Sequence, residues 1–252
     1  MYHLFKHQLE NLVELHTRKG REKQGYFLIE GEKVVRDALR AGWKLQGLVL
    51  TDEALKKSGS LLKECADIQP LLATSEQMNK LSETMTPTGL VAVVRLPGTS
   101  PLPAEGIVLA LDDIADPGNL GTIIRTADWF GIKHMLLSPG TVDPFNGKVV
   151  RAAMGSLFNM QFCIAADFET DVRSLQASGY RVVVTTASGK DAALTVSDKL
   201  CLVLGSEAHG VSQGIERIAD STYTISGTGN AESLNVAVSA GIVLYSLMGA
   251  NL

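Results

Sequence analysis

The 252-residue sequence predicts an α/β protein built from two units, and three observations carry that expectation. Strand-like and helix-like apolar patterns alternate from Tyr26 to Met248. The stretch Leu96–Gly106 breaks the alternation with Pro97, Gly98, Pro101 and Pro103, which neither a helix interior nor a central strand accommodates. Beyond it, Ile107–Leu111 is apolar at every position, as in a parallel strand covered on both faces. The expected boundaries are 1–96 for the first unit, 97–105 for the linker and 106–252 for the second unit.

In the first unit Tyr26–Ile29 reads as a strand. Gly31–Arg40 reads as a helix with Val34, Val35, Ala38 and Leu39 on one face, stopped by Gly42. Leu48–Leu50 is a strand. Asp52 and Glu53 open a helix running to about Cys65. Leu71–Ala73 is a strand, Ser75 caps a helix across Gln77–Leu81, and Leu90–Arg95 closes the unit. In the second unit the expected strands are Ile107–Leu111, Met135–Leu137, Phe162–Ala165, Arg181–Thr185, Leu202–Leu204 and Thr222–Ile225. The expected helices are Leu120–Phe130, Gly147–Phe158, Asp167–Ala177 and Leu234–Met248. The last is apolar on nearly every side, so it must be covered on most of its surface, by the sheet and by a second subunit.

Composition narrows the class. Apolar residues make up 45% and aromatics 6%, as in soluble globular proteins. Cys65, Cys163 and Cys201 match no metal spacing, and each adjoins an apolar stretch, which predicts buried thiols in a reducing cytoplasm and no metal. Met1–Arg21 is too polar for a secretory signal, and no window reaches 18 uncharged apolar residues. Residues 1–95 hold 14 Lys and Arg against 12 Asp and Glu, whereas the remainder holds 9 against 15. Arg18, Lys19, Arg21 and Lys23 fall within six positions beside His16, a cluster suited either to neutralising RNA phosphates or to a solvated face.

Two Asn-bearing segments more than 100 residues apart put polar groups at the mouths of apolar helices: Asp116–Ala127, with Asn119 and Arg125, and Asn230–Val238, with Glu232, Ser233 and Asn235. Arg125 sits among Ile123, Ile124, Ala127, Trp129 and Phe130. A guanidinium there needs acceptors: Asp112, Asp113 or Asp128 within the fold, or a phosphate or ribose from outside. Asn119 can equally be a turn residue or helix cap, and Glu232 can cap the last helix. Leu204-Gly205-Ser206-Glu207-Ala208-His209-Gly210 is a strand end running into a glycine-bracketed turn. The first strand-to-helix turn lacks G-x-G-x-x-G, and glycines gather late, at Gly205, Gly210, Gly227 and Gly229. A ligand is therefore expected near the C-terminal strands.

Three ordered motifs resemble the SpoU-class RNA ribose 2′-O-methyltransferases of the knotted SPOUT superfamily. They are Asn119-Leu120-Gly121 with Arg125-Thr126-Ala127; Leu204-Gly205-Ser206-Glu207 with Gly210; and Glu232-Ser233-Leu234-Asn235-Val236. Gly147–Phe158, with Arg151, resembles the family's middle helix, and the first unit resembles an L30e-type RNA-binding module. Departures are His209 within the second motif, Ile225-Ser226-Gly227 in place of Ile-Pro-Met, and Ala237 where serine is common. The resemblance implies a C-terminal deep trefoil α/β knot with a mostly parallel sheet. It also implies S-adenosylmethionine as donor, held by Thr185, Thr186, Leu204, Gly205, Ser206, Glu207, Ile225, Ser233 and Leu234. Arg125 is the implied catalytic residue, with Asn119, Glu207, Ser233 and Asn235 beside it. The implied RNA contacts are Arg18, Lys19, Arg21, Lys23 and Arg151. A cytoplasmic homodimer joined through the C-terminal domain is implied, acting on RNA, ribosomal RNA ahead of tRNA, with no DNA or membrane partner. The rival expectations are a non-catalytic RNA binder of the same fold and a nucleotide-binding α/β enzyme.

Overall fold

The computed structural model describes residues 2–187, 198–206 and 208–249. It packs as two compact units, Met1–Gly98 with Asp143–Phe158, and Thr99–Val142 with Asn159–Leu252. The chain therefore leaves the second unit once, contributes sixteen residues to the first, and returns.

The first unit begins with β1 (Tyr2–His3), α1 (Lys6–Glu14), α2 (Arg18–Gln24), β2 (Tyr26–Glu30), α3 (Glu32–Arg40) and β3 (Leu45–Leu50). It continues with α4 (Asp52–Lys57), α5 (Gly59–Glu64), β4 (Leu71–Leu72), α6 (Ser75–Leu81) and β5 (Leu90–Arg95). The sheet order is β1-β4-β3-β5-β2, with β5 antiparallel to both neighbours. The polar stretch before Tyr26 carries two unforeseen helices. Leu9 anchors α1, the buried Leu4 and Leu15 flank that helix, and Thr17 caps α2 by accepting from the Gly20 N–H. The single helix expected from Asp52 to Cys65 is two, because Ser58 is buried, donates its hydroxyl to Glu32 and forms the break. Thr74, not Ser75, caps α6, in a reciprocal pair with Gln77.

The chain continues with β6 (Gly106–Asp112), α7 (Pro117–Trp129), β7 (His134–Leu137), α8 (Gly147–Ala153), β8 (Gln161–Ile164), α9 (Phe168–Ala177) and β9 (Arg181–Thr185). It ends with β10 (Lys199–Gly205), α10 (Gln213–Ile218), β11 (Ser221–Tyr223) and α11 (Val236–Gly249). Six strands pair in the order β11-β9-β10-β6-β7-β8, all parallel. Both faces are covered, which is why β6 and β10 read as unbroken apolar runs: Val108 to Leu111 and Leu200 to Leu204 are all 1% exposed or less. Pro117 at the first turn and Asp116, which accepts from the Asn119 N–H, start α7.

Residues Asp143–Phe158 hold α8 and most of a 3-10 turn, Met154–Asn159, where one helix was expected; Met154 breaks it at φ 56°. This segment belongs by packing to the first unit. Phe145 lies against Phe27, the rings of Trp43 and Phe158 meet edge to face, and Trp43 Nε1 donates to the Phe158 carbonyl.

Candidate functional site

The parallel sheet of the second unit opens at the carboxyl ends of β9, β10 and β11 into a cleft of about 800 Å³. That volume lies in the range of roughly 300–1,000 Å³ usual for small-molecule sites. Thr185, Thr186, Leu204, Gly205, Ser206, Ile225, Ser233 and Leu234 all line it. Its location late in the fold matches the late clustering of glycines.

One wall is a tight turn. Ser206 and Gly210 exchange two backbone hydrogen bonds, 3.0 and 2.8 Å. A Cβ on Gly205 would lie 2.1 Å from the Gly210 carbonyl carbon, so only glycine permits this approach. The opposite wall is the 225–234 loop, with Gly227 and Gly229 in its lining. The Thr224 hydroxyl, between the lining residues Tyr223 and Ile225, is buried with no hydrogen-bond partner. Backbone edges, small side chains and an unsatisfied hydroxyl suit a flat, polar-edged organic ligand.

The two Asn-bearing segments meet beside this cleft. Asn235 Nδ2 donates to Asn119 Oδ1 at 3.0 Å, across 116 residues of sequence. Asn235 Oδ1 also accepts from the Ala237 and Val238 N–H groups and so caps α11, the role that Glu232 was expected to take. Glu232 lines the cleft instead. The packing of α11 on α7 brings these helix mouths together.

Arg125 lies on the exposed face of α7, in the stripe Thr122–Arg125–Trp129. No described carboxylate takes it. Asp112 accepts from the Ser212 N–H, Asp113 from Ser138, and Asp128 from Asn159. The internal partners considered for Arg125 are thus occupied elsewhere, and its charge faces solvent. Glu207 lies outside the described residues.

Two of the residues expected to meet RNA are used by the first unit itself. Arg21 is 2% exposed. Its Nε and Nη2 donate to Asp143 Oδ2 at 2.9 and 2.5 Å, and Nη1 donates to the Leu15 and His16 carbonyls. A guanidinium so enclosed, with four of its five N–H groups already bonded, is not presented to a phosphate, and the expectation of an RNA contact there is corrected. Arg151 is partly exposed and pairs with Glu83 at 3.3 Å. Arg18, Lys19 and Lys23 are exposed, with Arg18 paired to Glu22 and Lys23 to Glu14. Sequence reasoning did not single out Tyr223, Val211 and Glu216 as cleft residues. Glu216 sits on α10, an unforeseen helix, and no motif marks the other two.

Burial pushes the Cys201 thiol up to about 12, and it raises Cys65 and Cys163 as well. All three are free thiols. Among the described residues, no group of His, Cys, Asp and Glu side chains is arranged to hold a metal ion, and no helix is long and apolar enough to cross a membrane.

The SpoU rRNA Methylase family matches residues 106–245, and the MRM3-like substrate binding domain matches residues 6–92. The 23S rRNA (guanosine(2553)-2′-O)-methyltransferase RlmP of Bacillus subtilis is 35% identical over 96% of each chain. An S-adenosylmethionine-bound rRNA methyltransferase structure from Sinorhizobium meliloti superposes with a TM-score of 0.84 at 31% identity, covering 100% of this chain and 98% of the other. The SpoU methyltransferase AviRb of Streptomyces viridochromogenes, also solved with that cofactor, gives 0.85 at 25% identity over 98% of each chain. With a family match across more than half its length and an RNA-methylating relative along nearly all of it, this chain belongs to the SpoU rRNA methylase family.

Proposed function

We propose that this protein transfers a methyl group from S-adenosylmethionine to a ribose 2′-hydroxyl of large-subunit ribosomal RNA. The carrying observation is the Asn119–Asn235 hydrogen bond, which joins the mouth of the Arg125 helix to the wall of the cleft. The bound donor supplies an electrophilic methyl on a sulfonium. This chain supplies the grip and the alignment. The Ser206–Gly210 turn and the 225–234 loop hold the donor through backbone groups, with Thr185, Thr186, Leu204, Gly205, Ser206, Glu207, Ile225, Ser233 and Leu234 as its contacts. The unsatisfied Thr224 hydroxyl marks spare hydrogen-bonding capacity on that side.

Arg125 grips the phosphate next to the target ribose and stabilises the alkoxide that develops on the 2′-oxygen. Its guanidinium is already protonated at neutral pH and cannot take up the hydroxyl proton, so its work is electrostatic, and the proton released from the 2′-oxygen passes to solvent. Asn119, Asn235, Glu207 and Ser233 hold the ribose and the arginine in line, the alignment that methyl transfer to an alcohol demands.

Residues 1–96 deliver the RNA, through Arg18, Lys19 and Lys23 and with help from Arg151; residues 106–252 form the knotted transferase. The enzyme works in the cytoplasm as a homodimer. Support for the dimer comes from α11: Val238, Ile242 and Tyr245 follow one another at helical spacing, and each is 37% or more exposed. An apolar stripe of that kind on an otherwise buried helix needs a cover, and a second copy supplies one.

The test is methyl transfer from labelled S-adenosylmethionine to ribosomal RNA and to tRNA, with the methylated position mapped. Label in 23S-type RNA at a single 2′-oxygen is expected. Label confined to tRNA would redirect the substrate, and donor binding without transfer to any RNA would leave a binding protein only.

A further inference from the structure

Asp112 is one of only five buried polar or charged side chains among the described residues, at 6% exposure. The other four have evident structural work. Arg21 is paired with Asp143, Ser58 donates to Glu32, and Ser138 and Thr141 bind each other and the Asp113 turn. Asp112 differs. It ends β6, opposite Gly205 at the last rung of β10. No cation lies within ion-pair distance among the described residues. Its one hydrogen bond is from the Ser212 N–H to Oδ2, at 2.8 Å. A carboxylate taken out of water for a single backbone donor is a costly way to close a loop. A charged acceptor does, however, hold an N–H more firmly than a neutral one.

What that bond closes is the wall of the donor cleft. The turn is fastened at one end by the Ser206–Gly210 exchange and the close Gly205 approach, and at the other by Asp112 on Ser212. Between the two fasteners lie Ser206, His209, Gly210 and Val211, all of which line the cleft. Asp112 itself does not line it, so it acts through the turn. We infer that Asp112 is a positioning residue for the methyl donor: its carboxylate sets the Ser206–Ser212 turn in the conformation that receives the cofactor. This inference rests on the proposed reading of the cleft.

Two substitutions remove the same bond from opposite ends. Asp112→Ala removes the acceptor. Ser212→Pro removes the donor, at an exposed position whose φ of −62° a proline ring adopts without strain. The full-length protein and both variants, with Asp112→Asn and the double variant, are assayed by calorimetric titration with S-adenosylmethionine, by KM and kcat for methyl transfer, and by thermal unfolding.

Each single variant is expected to raise the donor Kd by about tenfold, as loss of one charge-assisted hydrogen bond would. At saturating donor, kcat should stay within about threefold. Asp112→Asn, which keeps an acceptor oxygen but not the charge, should recover part of the affinity, and the double variant should be no weaker than either single one. Additive losses, or a Ser212→Pro protein with unchanged donor affinity, would overturn the inference, as would a fall in kcat with the donor KM intact. Should the unaltered protein bind no S-adenosylmethionine at all, the reading of the cleft falls first and this inference with it.

Discussion

Arg21 and Arg125 are both arginines on helices, yet the fold treats them in opposite ways. On α2 the guanidinium is enclosed, and all its described bonds run to Asp143 and two backbone carbonyls. On α7 it stands exposed while the nearby Asp112, Asp113 and Asp128 are engaged by other donors. A cation that the protein satisfies internally stabilises the protein. One that the protein leaves to solvent is available to a substrate. Position in a basic cluster did not distinguish the two; the acceptors around them do.

Four experiments separate the two roles, beginning with the largest effects. Arg21→Ala should cost about 3–5 kcal/mol of stability, because it leaves the mostly buried Asp143 carboxylate without its partner. Chemical denaturation checks this, and an unchanged midpoint would break the comparison. Arg125→Ala should do the reverse. Methyl transfer falls by about 10²–10³-fold, while stability moves by no more than roughly 0.5 kcal/mol. A folded variant that kept its rate would sink the assignment of Arg125 as catalytic.

Next in size is Gly205→Ala. The added Cβ meets the Gly210 backbone, so the turn must open, at about 1–3 kcal/mol. Donor Kd should rise about 5- to 150-fold, as read by calorimetry. The smallest effect belongs to the exposed remainder of the basic cluster. Arg18→Ala with Lys19→Ala should lower RNA affinity evenly across sequences. It should also flatten the salt dependence by about one unit of slope for each phosphate no longer neutralised. An unchanged slope would mean that this face does not meet RNA.

Much of this architecture was legible in the sequence because burial on both faces writes itself as continuous apolar runs. Ile107–Leu111 and Arg181–Thr185 declared their strands in that way. The convergence of Asn119 and Asn235 was legible only as a pattern: two polar mouths on apolar helices, with a resemblance to order them. Their 3.0 Å hydrogen bond depends on sheet order, which local periodicity does not encode. The misses share a cause. Helices α1, α2 and α10 are short and polar: α1 buries Leu9, α10 buries Ile215 and α2 has no leucine or isoleucine, so no period shows. Arg21 was misjudged because its partner sits 122 residues away, on a segment assigned by sequence to the other unit.

That segment has a practical consequence. Because Asp143–Phe158 completes the core around Phe27 and Trp43, the recognition module is not a contiguous cassette that can be clipped at the proline-rich joint. A fragment ending near Gly98 would bare aromatic rings and strand a charged guanidinium. Swapping this reader for another, in the laboratory or in evolution, requires three cuts in the transferase gene rather than one.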